Sequence, residues 1–223
     1  MISIIIPTIN EDEVIENTLR PLQPLRNLGA EVILVDGGSS DQTQHIAAPL
    51  VDIWIDSPAK GRALQMNLGA AQANRDILWF LHADTVIPEH AERYIINTLK
   101  NRRWGRFDLK LSGDNFLLRI VEWMINHRSC WSGVATGDQG IFLTQKLFNK
   151  LDGFPEIALM EDIALSRKLK KVAAPGCIKH PLITSSRRWE KNGIVQTILL
   201  MWWLRFSYWL GVDPEKLVKL YHT

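Results

Sequence analysis

Over residues 1–100 the chain alternates short β-branched apolar runs with segments of helical spacing, and this rhythm constrains the fold more than any other feature. Ile2–Ile6, Glu31–Val35, Val51–Ile55 and Asp76–Leu81 read as strands. Between and after them Glu11–Leu19, a short helix capped by Asp41 and running to Ala47, Gly61–Ala73 and Pro88–Lys100 read as helices. Short apolar strands joined by helices predict right-handed βαβ units and an α/β domain with a mostly parallel, Rossmann-like sheet flanked by helices. The loops at the carboxyl ends of such strands gather at one edge, where open α/β sheets bind ligands. After residue 100 the rhythm breaks. Arg106–Leu111 predicts an antiparallel strand, Phe116–His127 and Ile163–Lys171 predict helices, and Thr136–Leu143 is Gly-rich and then apolar. A long apolar helix over Gly193–Leu210 and a short one over Pro214–Tyr221 close the chain.

Apolar residues make up 46% of the 223 and charged residues 22%, which suits one packed domain with a C-terminal appendage. A net charge of +2 with no dense Lys/Arg tract argues against nucleic acid as a partner. Cys130 and Cys177 lack metal-ligand spacing; a disulfide is left open, and the absence of a cysteine framework points to a reducing compartment. The start, MISIIIPTINE, reads as a buried strand rather than a signal peptide. A dehydrogenase would carry Gly-x-Gly-x-x-Gly after the first strand and a P-loop enzyme Gly-Lys-Ser/Thr; neither is present. The Gly-rich basic loop expected of a sugar nucleotidyltransferase is also missing.

Acids stand at the ends of two predicted strands. Asp36 follows EVILV and precedes a Gly37-Gly38 turn, where a carboxylate can accept hydrogen bonds from a base or ribose and the glycines admit a ligand close to the backbone. Asp84 follows ILWFL in the same way, and a carboxylate there suits a divalent cation bridging a diphosphate. Lys60-Gly61-Arg62 opens a helix, and a helix N-terminus with a guanidinium suits a diphosphate, although a surface basic pair explains it equally well. Glu161 and Asp162 fall at the start of another helix, where the dipole favours carboxylates; the sharper reading makes Asp162 a general base.

The ordered set SIIIPTINE, VDGGSSDQT, KGRALQMNLGA, FLHADT, GDQGIF and GFPEIALMEDIALSRKL resembles the family 2 glycosyltransferases of the GT-A fold, over roughly residues 1–190. The resemblance implies a donor half over 1–100, an acceptor half over 101–190 and C-terminal helices over 191–223. It implies that Pro7, Thr8, Glu11, Asp36, Gly37, Arg62, His82 and Asp84 line the nucleotide-sugar site, with Asp84 holding Mg²⁺ or Mn²⁺. Asp162 becomes the base of an inverting single displacement, and Asp138, Gln139, Glu161, Arg188 and Trp189 fall on the acceptor side. Two departures stand out. The family's usual Asp-x-Asp is here His82-Ala83-Asp84, and the Gln-x-x-Arg-Trp of some members is Ser185-Ser186-Arg187-Arg188-Trp189. The second argues against a polymerising enzyme of the cellulose-synthase kind. The first keeps a non-catalytic nucleotide-sugar-binding scaffold as the alternative.

Ile194–Val212 carries Trp202, Trp203 and Trp209, yet Arg205 sits near its centre, and a central Arg costs about 2.5–3.5 kcal/mol on insertion. A helix on the membrane surface or in a homodimer is therefore expected rather than a span. The expected setting is the cytoplasmic face of the cell membrane, with a nucleotide-diphosphate sugar as donor. The expected acceptor is lipid-like, of polyprenyl or carotenoid type, or another small molecule.

Overall fold

The computed structural model describes residues 1–221, with the side chains of residues 188 and 221 outside the description. Its first half follows the β-α rhythm. β1 (Ile2–Thr8) leads to α1 (Ile15–Leu19) and α2 (Gln23–Asn27); β2 (Glu31–Asp36) leads to α3 (Thr43–Ala47); β3 (Ile53–Asp56) leads to α4 (Arg62–Gln72). β4 (Ile77–Phe80) and the short β5 (Thr85–Val86) precede α5 (Ala91–Leu99). The second half holds β6 (Trp104–Leu111), α6 (Phe116–Ser132), β7 (Phe142–Thr144), α7 (Gln145–Lys150), α8 (Glu161–Val172) and β8 (Gly176–Thr184). α9 (Arg187–Asn192), α10 (Ile194–Trp209) and α11 (Pro214–Tyr221) follow.

All eight strands join one sheet in the order β3-β2-β1-β4-β7-β6-β8-β5. The β3-β2-β1-β4 side is parallel throughout. The expectation of a mostly parallel sheet needs correcting beyond β4, because β7 runs antiparallel to both β4 and β6, and β5 antiparallel to β8. β6 is antiparallel only to β7; its other neighbour, β8, is parallel to it. The sheet is mixed.

Strand alternation distributes the core to both faces. Ile2, Ile4 and Ile6 pack with Leu34 under Ile15 and Leu19 of α1. Ile5, Ile33 and Val35 face the other way, onto Ala63, Met66 and Ala70 of α4. Because both faces are covered, the parallel strands carry continuous apolar runs rather than an apolar/polar alternation. Gly69 lets α4 lie close to the sheet; a Cβ there would come within 2.5 Å of Ile5 Cγ2.

The C-terminal helices are part of the packing. Ile194 and Ile198 of α10 join Trp189 against Leu109, Leu111, Leu118 and Val121. Leu204 and Leu217 pack on Met160 and Ile163 at the start of α8. The opposite face of α10 exposes Leu199, Trp202, Trp203, Phe206 and Trp209. Among the described residues no helix is long and apolar enough to cross a membrane. Cys130 of α6 is bonded to Cys177 of β8, a link that spacing alone left open and that runs against the reducing compartment inferred from cysteine usage.

Candidate active site

The carboxyl ends of β1 and β4 open onto a cleft of ≈ 320 Å³. Pro7, Thr8 and Glu11 form one side, Lys60, Gly61 and Arg62 a second, and His82, Asp84 and Glu161 a third. The sequence elements predicted to bind a nucleotide sugar thus converge, with two exceptions. Asp36 lies off this cleft, 5% exposed, and its carboxylate accepts from its own turn: Gly38 N at 3.0 Å, Ser39 N at 2.8 Å and Ser39 Oγ at 2.5 Å. Gly37 donates its N–H to Thr8 O at 2.8 Å, and its close approach is to the Gln65 side chain. Gln65 escaped the sequence reading. Buried on α4, it donates Nε2 to both Thr8 O (2.9 Å) and Val35 O (2.8 Å), so one side chain fixes the ends of β1 and β2.

The chain turns at the end of β4 so that His82 and Asp84 point into the same region. Thr85 pairs with Thr184, and Thr184 Oγ1 donates to Asp84 Oδ1 at 3.1 Å, which anchors the carboxylate between two strand ends. Burial and the charge of Asp84 push the Glu11 carboxyl up, while Arg187, 3.4 Å from Glu11, pulls it down less. Arg187, not singled out from sequence, also reaches Glu13 at 3.0 Å and so ties the start of α9 to the loop after β1.

His82 stands where the family's first Asp would be. Its Nδ1 lies 2.9 Å from Asp138 Oδ1, and its Nε2 is buried without a partner, against Gly137. Burial pulls the imidazole pKa down, but the Asp138 hydrogen bond and charge, with Asp84, raise it overall. Against the desolvation of its site, the hydrogen bond and charge of His82 bring the Asp138 carboxyl down to about 2, with the side chain still partly exposed. Asp138, expected on the acceptor side, thus pairs with a residue of the cleft while itself lining a separate groove. Gln139 does not reach the surface: it is fully buried, donating to Ser129 Oγ at 2.9 Å, inside the fold.

Asp162 is the second residue of α8, whose N-cap Met160 lies in the left-handed region at φ 70°. Its Oδ2 accepts from Gly137 N at 2.8 Å and its Oδ1 from Ile163 N at 2.6 Å, so the carboxylate is oriented by backbone donors from two elements. A narrow space lined by Arg62, His82, Gly137, Glu161 and Asp162 adjoins the cleft. Glu161, predicted on the acceptor side, faces the cleft; it is 3% exposed and lies 3.5 Å from Arg62. Trp189 lines a separate apolar groove, while the side chain of Arg188 lies outside the described residues. No group of three or more metal-ligating side chains occurs among the described residues.

The Glycosyl transferase family 2 profile matches residues 3–132. The chain belongs to this family. Poly-β-1,6-N-acetyl-D-glucosamine synthase of Staphylococcus aureus (strain COL) is 31% identical to this glycosyltransferase over 105 residues, 45% of the chain and 26% of the synthase. Probable glycosyltransferase YdaM of Bacillus subtilis (strain 168) is 28% identical over 192 residues, 74% of the chain and 45% of YdaM. The chain thus spans less than half the length of these curated relatives. Among solved structures, S. aureus TarS 1–349 superposes with a TM-score of 0.68 at 18% identity, over 83% of this chain and 60% of that one. The mannosyltransferase PcManGT from Pyrobaculum calidifontis, in complex with GDP-Man and Mn²⁺, gives 0.61 at 20%, over 82% and 56%. The fold is GT-A-like, with a mixed sheet and C-terminal helices.

Proposed function

We propose that this chain moves a sugar from a nucleoside-diphosphate sugar in the cleft to an acceptor oxygen by an inverting single displacement, with Asp162 as the base. The observation that carries the reading is the placement of Asp162, oriented by two N–H groups, in a space that adjoins the cleft through Arg62, His82 and Glu161. In the step, the acceptor O–H gives its proton to Asp162. The new bond forms from acceptor oxygen to anomeric carbon, on the face opposite the leaving group. The anomeric C–O bond breaks, and its electron pair leaves on the nucleoside diphosphate. Preorganised cations at that position stabilise the developing charge, and Arg62 is the candidate.

The donor chemistry suits Mg²⁺ or Mn²⁺. These ions take oxygen ligands, often one or two carboxylates completed by phosphate oxygens and water, and Asp84 with Glu11 beside it provides such a set. When bound, the ion would offset charge on the diphosphate. TarS with UDP-GlcNAc and PcManGT with GDP-Man and Mn²⁺ are parallels for donor and metal. The acceptor is lipid-like, of polyprenyl or carotenoid type, and the protein works peripherally on a membrane surface through the exposed aromatic residues of α10. The Cys130–Cys177 bond weighs against a reducing setting.

Thermal stabilisation by a panel of nucleotide sugars, with and without Mn²⁺, followed by turnover of the best donor, tests the reading. A donor is expected to raise the Tm, and Asp162→Asn to keep that rise while losing about 10²–10⁴-fold in turnover. Failure of every nucleotide to bind would sink the transferase reading. Unchanged turnover in Asp162→Asn would remove Asp162 as the base.

A further inference from the structure

Between α6 and α10 lies an apolar groove of ≈ 430 Å³. Val121, Met124, Ile198 and Met201 form its walls, and the exposed rings of Trp123 and Trp202 border it. Two guanidiniums also line it, those of Arg128 and Arg205, together with the Asp138 carboxylate that pairs with His82. Among the described residues neither guanidinium forms an ion pair. Arg128 Nη1 donates to Val134 O at 3.3 Å, and its Nη2 is buried with no partner. Burial and the neighbouring charge of Arg205 bring the Arg128 pKa down to about 10, so the two cations repel each other in apolar surroundings. Asp162 attracts both arginines and Asp138 attracts Arg205, but each carboxylate is already held, Asp162 by backbone N–H groups and Asp138 by His82.

Two desolvated cations without a bonded anion are expensive, and a chain that retains them has a use for the field they create. The donor does not account for them, because the cleft has its own cations, Lys60 and Arg62, and shares no lining residue with the groove. A dianion does. Two guanidinium forks match a tetrahedral phosphate better than a lone carboxylate.

We propose that the groove is the acceptor subsite and takes an amphiphile with a phosphate head: the apolar chain lies between α6 and α10, and the phosphate sits against Arg128 and Arg205. The proposal rests on the transferase reading and gives it an acceptor class. The phosphate anchors the head group there, and a hydroxyl carried on the same head group is the oxygen that gives its proton to Asp162, on the Asp138–Asp162 side of the cleft.

The test titrates the full chain with dodecyl phosphate, dodecanol and inorganic phosphate, below the micelle concentration, by calorimetry. Dodecyl phosphate is expected to bind at least about tenfold more tightly than either of the others. Arg128→Gln and Arg205→Gln are each expected to weaken dodecyl phosphate by about tenfold, with UDP affinity shifted less than about twofold. Equal binding of the alcohol would reduce the groove to a tail site, and equal binding of inorganic phosphate would reduce it to an anion site; either overturns the proposal. So would a parallel loss of UDP binding in the variants, since it would return the arginines to the donor. Where a variant fails to fold, the three-ligand comparison on the wild type still decides. If the wild type bound no UDP, the transferase reading would fail separately, whatever the dodecyl phosphate result.

Discussion

Glu161 and Asp162 are adjacent in the chain and sit in different surroundings. Glu161 is 3% exposed, and burial together with the charge of Asp162 pushes its carboxyl up, against the pull of Arg62. Asp162 is half-buried and bonded to two backbone N–H groups, so the pair separates into a shielded carboxyl and one held in place by the backbone. Spacing predicted that both would start a helix but not which one would face the cleft, since that depends on the left-handed turn at Met160. Asp36 shows the converse. Its position at a strand end was legible, but not that its own turn would satisfy its carboxylate. Glu31 makes the same physics testable. It is buried, yet its carboxyl is held below the ordinary range: burial raises it, and the bonds from Asn74 N (2.9 Å), Asn74 Nδ2 (2.8 Å) and Ser3 Oγ (2.7 Å) lower it more. A depressed folded pKa contributes stability above the unfolded pKa, and that contribution is lost as pH falls through the folded value. Glu31→Gln is expected to cost roughly 1–3 kcal/mol at neutral pH. Urea unfolding should show the two proteins converging as the solution is acidified; a gap that stays constant with pH would refute the assignment.

At the level of elements, the parallel half was readable because β1, β2 and β4 are buried on both faces and so appear as apolar runs. β8 was not. Its sequence GCIKHPLIT contains Pro181, and the β6 pairing jumps from Phe107↔Ile178 to Asp108↔Pro181, leaving Lys179 and His180 as an extra pair that breaks the alternation. The close seat of α4 on β1 predicts that Gly69→Ala destabilises by roughly 1–3 kcal/mol, because Ile5 must yield to the new methyl. Denaturant midpoints measure this, and an Ala variant as stable as the wild type would mean that α4 can slide outward freely. The Cys130–Cys177 bond closes a loop of sequence separation 47 and clamps α6, one wall of the apolar groove, to the sheet. Reduction, or Cys130→Ser, is expected to lower stability by roughly 2–4 kcal/mol. Alkylation of the denatured, unreduced protein followed by mass measurement should find neither thiol labelled, whereas labelling of both would restore the reducing-compartment reading.

For the whole molecule, the sheet gathers the charged cleft at the ends of β1 and β4, while the later helices build an apolar side around the groove. From sequence, the C-terminal aromatic residues suited a membrane surface or a homodimer. Packing now divides them by face. Thr197, Leu204 and Ser207 turn inward, while Trp202, Trp203, Phe206 and Trp209 lie on the outer face at helical spacing. Phe116, Ile120, Trp123 and Trp131 form a second exposed stripe along α6, the other helix flanking the groove. Apolar surface on both flanks of a groove suits entry of an acceptor from a bilayer, with the aromatic rings at headgroup depth. Each such ring removed from water contributes on the order of 1.5–3 kcal/mol. The triple variant Trp203→Ser, Phe206→Ser, Trp209→Ser should therefore lose sedimentation with phosphatidylglycerol-phosphatidylcholine vesicles by well over about tenfold. Its Tm should change little, because these side chains are more than half exposed. If wild type ignores vesicles but sediments as a dimer that the triple variant dissociates, the aromatic face is a contact between two copies and the peripheral membrane setting falls.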